Sequence, residues 1–292
     1  MKKFLKIGIL IAVLMICGLG ILLWYRFDRC MITQFQDTTG SQGMFYTIEN
    51  DGKLIVIDGG NPGNAEYVSQ VIEQFGGHVD AWILSHPHPD HIGAFNELYE
   101  VLQDKVDAIY TPAFDYDAYL AKSQPWDEFE YYERYLNLTK DSDKVHYVHA
   151  GETYTVCGLQ IKVFSAYEDY VDARSRDLCN DGSMLFKVTH RKESMLFCSD
   201  VGISLSDLML AEYGEELKSE YLQMGHHGYG GLSDAFYTMV APKAAFFDAP
   251  EWLMHPGEEN SNLTTPEKIK LMESLGAEIF YYEGAPHRFQ LK

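Results

Sequence analysis

Residues 86 to 91 read His-Pro-His-Pro-Asp-His, which places four side chains able to hold a metal within six positions. Imidazole and carboxylate are the ligand types of zinc, and also suit iron or manganese. The run follows Ala81-Trp82-Ile83-Leu84, a short apolar stretch compatible with a buried strand. Its two prolines predict a loop rather than a helix. A rigid loop of this kind can aim His86 and His88 at one ion while Asp90 and His91 face a second. A lone histidine would carry little weight, whereas four donors between Ser85 and Gly93 mark a metal site.

Three further segments carry acidic or imidazole groups behind apolar runs: Leu54-Ile55-Val56-Ile57-Asp58-Gly59-Gly60, Ser194-Met195-Leu196-Phe197-Cys198-Ser199-Asp200, and Leu222-Gln223-Met224-Gly225-His226-His227-Gly228. Taken in order with His86–His91, they resemble the metallo-β-lactamase superfamily, from about Thr38 to the C-terminus. That resemblance implies an α/β fold, a four-layer αββα sandwich, and a pair of divalent metal ions, zinc by preference with manganese or iron as alternatives. It further implies His86 and His88 on the first ion, Asp90, His91 and His226 on the second, Asp200 bridging the two, and Asp58 behind the ligands. His227 is then left to bind a substrate phosphate or protonate a leaving group, although the sequence does not show which ring of the adjacent pair faces inward. The His-His-Gly turn resembles a branch that contains competence-type DNA-uptake nucleases and teichoic-acid phosphorylcholine esterases.

One family feature is missing. Relatives such as glyoxalases place a further histidine, often in Pro-Gly-His, after a strand between the metal loop and the bridging aspartate. Here the expected strand Leu159 to Phe164 is followed by Ser165-Ala166-Tyr167. Asn180 and Asp181 either fill that gap or form a type I′ turn within Asn-Asp-Gly-Ser, and the turn is the preferred reading. His146, His149 and His190 read as structural, and Cys157, Cys179 and Cys198 as small buried residues rather than ligating thiols.

The elements needed to hold these residues are legible in outline. Asn50-Asp51-Gly52 predicts a hairpin joining strands Met44–Ile48 and Leu54–Ile57, after a linker of about ten residues. Helices are predicted over Asn64–Phe75 and Ala94–Leu102, later from Ser206 and from Ser233, and finally from Thr265, with Thr265 as cap. Strands are predicted at Tyr154–Cys157, Leu159–Phe164, Met184–Val188, Met195–Cys198, Ala244–Phe247 and Glu278–Tyr282. Between about 111 and 144 lies an insertion rich in aromatic and acidic residues. Either its aromatics pack as a helix, Trp126 to Leu138, or Trp126 helps cage a cationic group such as choline. His287 is expected at the rim, within reach of substrate.

Ahead of this domain, Lys2, Lys3 and Lys6 precede Ile7–Tyr25, 19 residues without a charge. Such a run is long enough to span a bilayer, so residues 1–30 read as a signal anchor, with a cleaved signal peptide as the rival. The basic residues before the span orient residues 31–292 outside the membrane. Five of the 23 basic and one of the 43 acidic residues fall within 1–30, leaving −24 on the remainder. A surface of that sign disfavours nucleic acid, which needs a basic stripe to neutralise phosphates.

The function expected is therefore that of a membrane-anchored metal-dependent hydrolase, a phosphodiesterase acting on a small or cell-envelope phosphate ester. Asp90 and His227 are the expected catalytic groups, and His227, Trp126 and His287 the expected substrate contacts. The alternatives are an acyl or lactone hydrolase, a nuclease, and a non-catalytic metal-binding surface protein.

Overall fold

The computed structural model describes residues 29–292; the Ile7–Tyr25 run lies outside the described residues. Among the described residues no helix is long and apolar enough to cross a membrane.

The first sheet grows from β1 (Cys30–Gln34), β2 (Phe45–Asn50), β3 (Lys53–Asp58), β4 (Ala81–Ile83), β5 (Ile109–Pro112) and β6 (Val145–Val148). The second comprises β7 (Thr153–Val156), β8 (Leu159–Ser165), β9 (Leu185–His190), β10 (Glu193–Phe197), β11 (Tyr221–Gln223), β12 (Ala244–Phe246) and β13 (Glu278–Phe280). β14 (His287–Leu291) then returns to the first sheet, giving the orders β14-β1-β2-β3-β4-β5-β6 and β13-β12-β11-β10-β9-β8-β7. In each sheet one half is antiparallel and the other parallel. β3 to β6 run parallel, as do β10 to β13.

Strand alternation sends successive side chains to opposite faces, and both faces are covered here, so the central strands are apolar throughout. Ile55, Ile57, Ala81, Ile83, Met195 and Phe197 face the layer between the sheets. Leu54, Val56, Trp82, Leu84 and Leu196 face the outer layers, where helices Ala65–Gln74, Pro89–Leu102, Ser206–Tyr213 and Asp234–Val240 cover them. The four layers expected from the sequence are thus present.

Several local expectations are corrected. The residues after position 30 are not all linker, because β1 occupies Cys30–Gln34 and is paired on both sides, with β2 and with the unanticipated β14. β5 and β6 were also unanticipated. Thr265 is the first residue of its helix rather than the cap, a position held by Thr264. Residues Leu178–Asp181 form one helical turn and Gly182 has φ −80°, so no type I′ turn exists there. The true type I′ geometry is at Asp51 and Gly52, with φ of 52° and 76°, where Asn50 pairs with Lys53.

The most consequential correction concerns the prolines of the metal motif. His88 is extended, and Pro89 opens a helix that runs to Leu102. Proline suits the first helical turn because its fixed φ is already helical and the N–H it lacks has no partner there. Asp90 and His91 therefore sit in the first turn of a helix. This helix lies close against Asn61 and Pro62. A Cβ on Gly93 would fall 2.5 Å from the Pro62 nitrogen, so only glycine allows the approach.

Trp82 links this packing to the site. It is fully buried, stacks edge-on against Phe95 at 5.1 Å, and donates its indole N–H to the Asp58 carbonyl at 2.8 Å. Trp82→Ala is expected to lower the unfolding free energy by about 3–5 kcal/mol, the cost of deleting a buried aromatic, which chemical denaturation would measure. A loss under about 1 kcal/mol would mean the site does not rely on this packing.

Candidate metal centre

Every sequence-predicted donor converges on the same rim, where parallel strands of both sheets end. His86 and His88 follow β4, Asp90 and His91 open the following helix, Asp200 follows β10, and the His226-His227 turn follows β11. His86, His88, His91, Asp200 and His227 are all buried. His287 does not join them. It lies in β14 opposite Gln34, its Nε2 is 2.7 Å from the Tyr281 carbonyl, and it does not line the cleft over the donors. The expected substrate contact is thus spent on closing the C-terminal turn.

The turns that present the donors are strained. Asp58, Ser199, His226 and His227 have φ of 51°, 46°, 50° and 55°, in the left-handed region that side chains rarely adopt. Each costs on the order of 1–3 kcal/mol, so surrounding structure must hold it. Gly228, at φ 94°, completes the second turn, and a Cβ there would meet the Phe247 ring at 2.3 Å.

Two groups of donors share this space. His86 Nε2 and His88 Nδ1 face each other at 3.1 Å. Asp90, His91 and His227 offer donor atoms within 4.8 Å of one another, as do His86, His91 and Asp200. His227 Nε2 is 3.1 Å from Asp90 Oδ2 and 3.4 Å from Asp200 Oδ2, and His91 Nε2 is 3.3 Å from Asp200 Oδ1. In spite of these distances His91 Nε2, His227 Nε2 and Asp200 Oδ1 make no hydrogen bond. Buried donor atoms crowded together without a hydrogen bond are what a bound cation would satisfy, so the residues present fit a pair of divalent metals.

The structure places the two adjacent histidines in different surroundings, the point that the sequence left open. His227 is buried and converges with Asp90 and His91, while His226 is partly exposed, stacks on Tyr229 at 4.5 Å, and stands 3.9 Å from Asp200. Two consecutive left-handed residues turn the first ring toward the cleft and the second into the protein. A sequence gives no periodicity for such a turn.

Hydrogen bonds behind the donors set their tautomers. Asp58 Oδ2 is 2.7 Å from His91 Nδ1 while its carboxylate also accepts from the Ser85 N–H and hydroxyl. This leaves His91 Nε2 for the cluster. Asp127, which sequence reasoning missed, lies 3.0 Å from His88 Nε2 and leaves Nδ1 facing His86. The His227 Nδ1 is 3.1 Å from the Asp248 carbonyl. Asp248 was missed too, because it belongs to no motif; a lone acid after the strand Ala-Ala-Phe was its only signal.

Charge follows the same geometry. Desolvation pulls the His91 imidazole down, but Asp200, Asp90 and Asp58 outweigh it and carry it up to about 10. His227 is likewise raised, against its burial, by Asp200 and Asp90. Burial lowers His86 and His226. Protons on His91 and His227 thus balance the carboxylates that metal cations would otherwise balance, and metal must displace them.

The cleft over the donors has a volume of about 430 Å³ and is lined by His88, Asp90, Asp200, His226, Tyr229 and Trp126, among others. Trp126 is 57% exposed, whereas Phe114, Tyr119, Tyr132 and Tyr135 of the same region are buried in the core. The packing reading therefore holds for those four, while Trp126 stands apart at the cleft. The expected helix is shorter, Glu130–Thr139, preceded by another at Tyr116–Lys122, and Trp126 lies on the loop between them.

Residues 38–156 match the family model described as Metallo-beta-lactamase superfamily. Among solved structures, the metallo-beta-lactamase fold protein YhfI from Bacillus subtilis is 12% identical, with 90% of this chain and 100% of that chain covered and a TM-score of 0.57. CmlA, a diiron beta-hydroxylase from Streptomyces venezuelae, is 12% identical over 89% of this chain and 54% of its own, with a TM-score of 0.55. A diphosphatase from the PhnP family is 15% identical over 90% of this chain and 98% of its own, with a TM-score of 0.50. No curated protein matches the chain. These likenesses establish a metallo-β-lactamase fold and support the superfamily.

Two measurements check this site. His227→Ala should reduce bound metal from about two ions per chain to about one, Asp200→Ala should remove both, and His226→Ala should keep both while losing turnover. Elemental analysis after dialysis decides it, and metal loss in His226→Ala with retention in His227→Ala would restore the original assignment. The second concerns Asp248, which burial pushes up to about 6 although Gln34, Tyr46 and Gln223 all donate to it. A carboxyl raised in the folded state contributes stability that is present below its unfolded value near 3.8 and lost as pH rises through about 6. In chelator-treated protein, Asp248→Asn should therefore gain about 3 kcal/mol relative to wild type between pH 4 and pH 7. Parallel pH profiles would mean the carboxyl titrates normally.

Proposed function

We propose that the chain is a metal-dependent hydrolase of phosphate esters, working with two divalent ions, zinc by preference and manganese or iron as alternatives. The observation that carries this reading is the convergence of unbonded, buried His91 Nε2, His227 Nε2 and Asp200 Oδ1 beneath an open cleft. His86 and His88 would hold one ion, Asp90, His91 and His227 the other, with Asp200 between them. Such a pair supplies Lewis acidity to a phosphoryl oxygen and acidifies water.

The chain's own residues do the rest. His226 stands in the cleft with its imidazole held neutral by burial, suited to accept a proton or a hydrogen bond at the reacting group. Asp58, Asp127 and the Asp248 carbonyl fix the rings behind it. Substrate recognition is divided by charge. On one side Trp126 and Glu128 border the cleft, a setting for a cationic group such as choline. On the other, Arg174 and Arg176 line an adjoining hollow with Asp200, His226 and Tyr229, a setting for an anion in an otherwise acidic protein. This combination suits a small or cell-envelope phosphodiester better than DNA or RNA. The anchor read at residues 1–30 would place the reaction outside the membrane. The diphosphatase among the structural neighbours is consistent with phosphate chemistry, whereas the diiron hydroxylase keeps the metal open.

The test is hydrolysis of bis-p-nitrophenyl phosphate, p-nitrophenyl phosphorylcholine, a lactone and nitrocefin, each with and without chelator. Chelator-sensitive hydrolysis of the phosphodiesters alone is expected, and a preference for the lactone would sink the reading. Trp126→Ala should raise KM for the choline ester by roughly two- to thirtyfold, the range of about 0.5–2 kcal/mol for a cation over an aromatic face, and spare the neutral diester. Equal effects on both esters would assign Trp126 to packing. Efficient digestion of single-stranded DNA at physiological salt would restore the nuclease.

A further inference from the structure

The first ion of the proposed pair has one fewer protein donor than the second. Asp90, His91 and His227 surround one position, but the strand Leu159–Ser165 delivers no histidine to His86 and His88. The chain offers three residues nearby, on the helical turn Leu178–Asp181. Asp181 is committed elsewhere, accepting from the Ser175 and Ser204 hydroxyls and the Gly202 N–H. Asn180 faces the cleft, donates its amide to Asp177 and keeps its side-chain oxygen without a hydrogen bond, a neutral donor and so a weaker one than a thiolate. Cys179 points the other way, fully buried, and its sulfur and donor nitrogens of His86 and His88 all lie within 4.8 Å of one another.

We infer that Cys179 is the missing ligand: its thiolate binds the first metal together with His86 Nε2 and His88 Nδ1, with Asp200 shared between the two ions. Donors on one tetrahedral zinc, at about 2.0–2.3 Å each, lie roughly 3.3–3.8 Å apart, so the group needs only a small contraction. The hydrogen bond that Asp127 accepts fixes the histidine half of this set. By occupying His88 Nε2 it reserves Nδ1, the atom that faces His86 at 3.1 Å, for the ion. When the sulfur–metal bond forms, the thiol proton leaves to solvent. A thiolate in this position favours zinc over manganese or magnesium, because sulfur is a soft donor. The inference rests on the binuclear reading proposed above.

Cobalt(II) loading of the full-length chain separates the two claims, since thiolate coordination gives an intense near-ultraviolet charge-transfer band that nitrogen and oxygen ligands do not. The expected result is about two cobalt ions per chain with the band present. Cys179→Ser should lose the band and hold about one ion after dialysis, Cys157→Ser should keep both, and Cys179→His should regain the second ion without the band. Two ions without the band in wild type, or a band that survives in Cys179→Ser, overturns the cysteine assignment alone. A chain that binds no stoichiometric cobalt overturns the binuclear reading and this inference with it. One ion with a Cys179-dependent band supports the cysteine and removes the second metal.

Discussion

The structure depends on bringing two acidic and four imidazole groups together in a largely buried space without letting them neutralise one another completely. Asp200 stands within 4 Å of His86, His91, His226 and His227, yet its Oδ1 has no hydrogen bond. A carboxylate oxygen without a hydrogen bond in low dielectric is expensive, so a protein that keeps one must either hold a cation there or be stable enough elsewhere to carry it. The parallel halves of both sheets provide the means. Asp58, His86, Asp200, the His226-His227 turn and Asp248 all follow the C-terminal ends of parallel strands, the side of an open α/β sheet where backbone diverges and leaves a crevice.

Rigidity at that rim comes from a second set of polar groups lying between the sheets. Gln34 and Tyr46 of the first sheet and Gln223 of the second all donate to Asp248. The Gln223 side-chain oxygen in turn accepts from the Cys198 and Ser199 N–H groups, which fixes the strained turn that presents Asp200. The Ser199 carbonyl accepts from the His226 N–H. One continuous network thus joins the loop that carries Asp200 to the loop of the paired histidines. Buried networks of this kind favour a single geometry of the groups they hold.

Much of this was legible in the sequence because it is local. The motif at 86–91, the strands ending in Asp58 and Asp200, the hairpin at Asn50-Asp51-Gly52 and the alternating apolar runs each carry their own signal. What was not legible depends on contacts far apart in the chain. β14 is identified only by its pairing with β1, more than 250 residues away, and Asp127 becomes relevant only because its loop folds back onto His88. The prolines at 87 and 89 were read as helix breakers because proline's effect depends on where the helix starts. At the first turn the same residue is an initiator.

The different placement of His226 and His227 has the same origin at smaller scale. In a strand, neighbours point to opposite faces and register would settle which is buried; in a helix, neighbours are 100° apart. Two successive left-handed residues obey neither rule, and burial is decided by what each ring meets. His227 meets the Asp248 carbonyl on one side and two carboxylates on the other, while His226 meets Tyr229 and the open cleft. The strained turn thus divides one dipeptide into a group that faces the buried acids and a group that faces the open cleft.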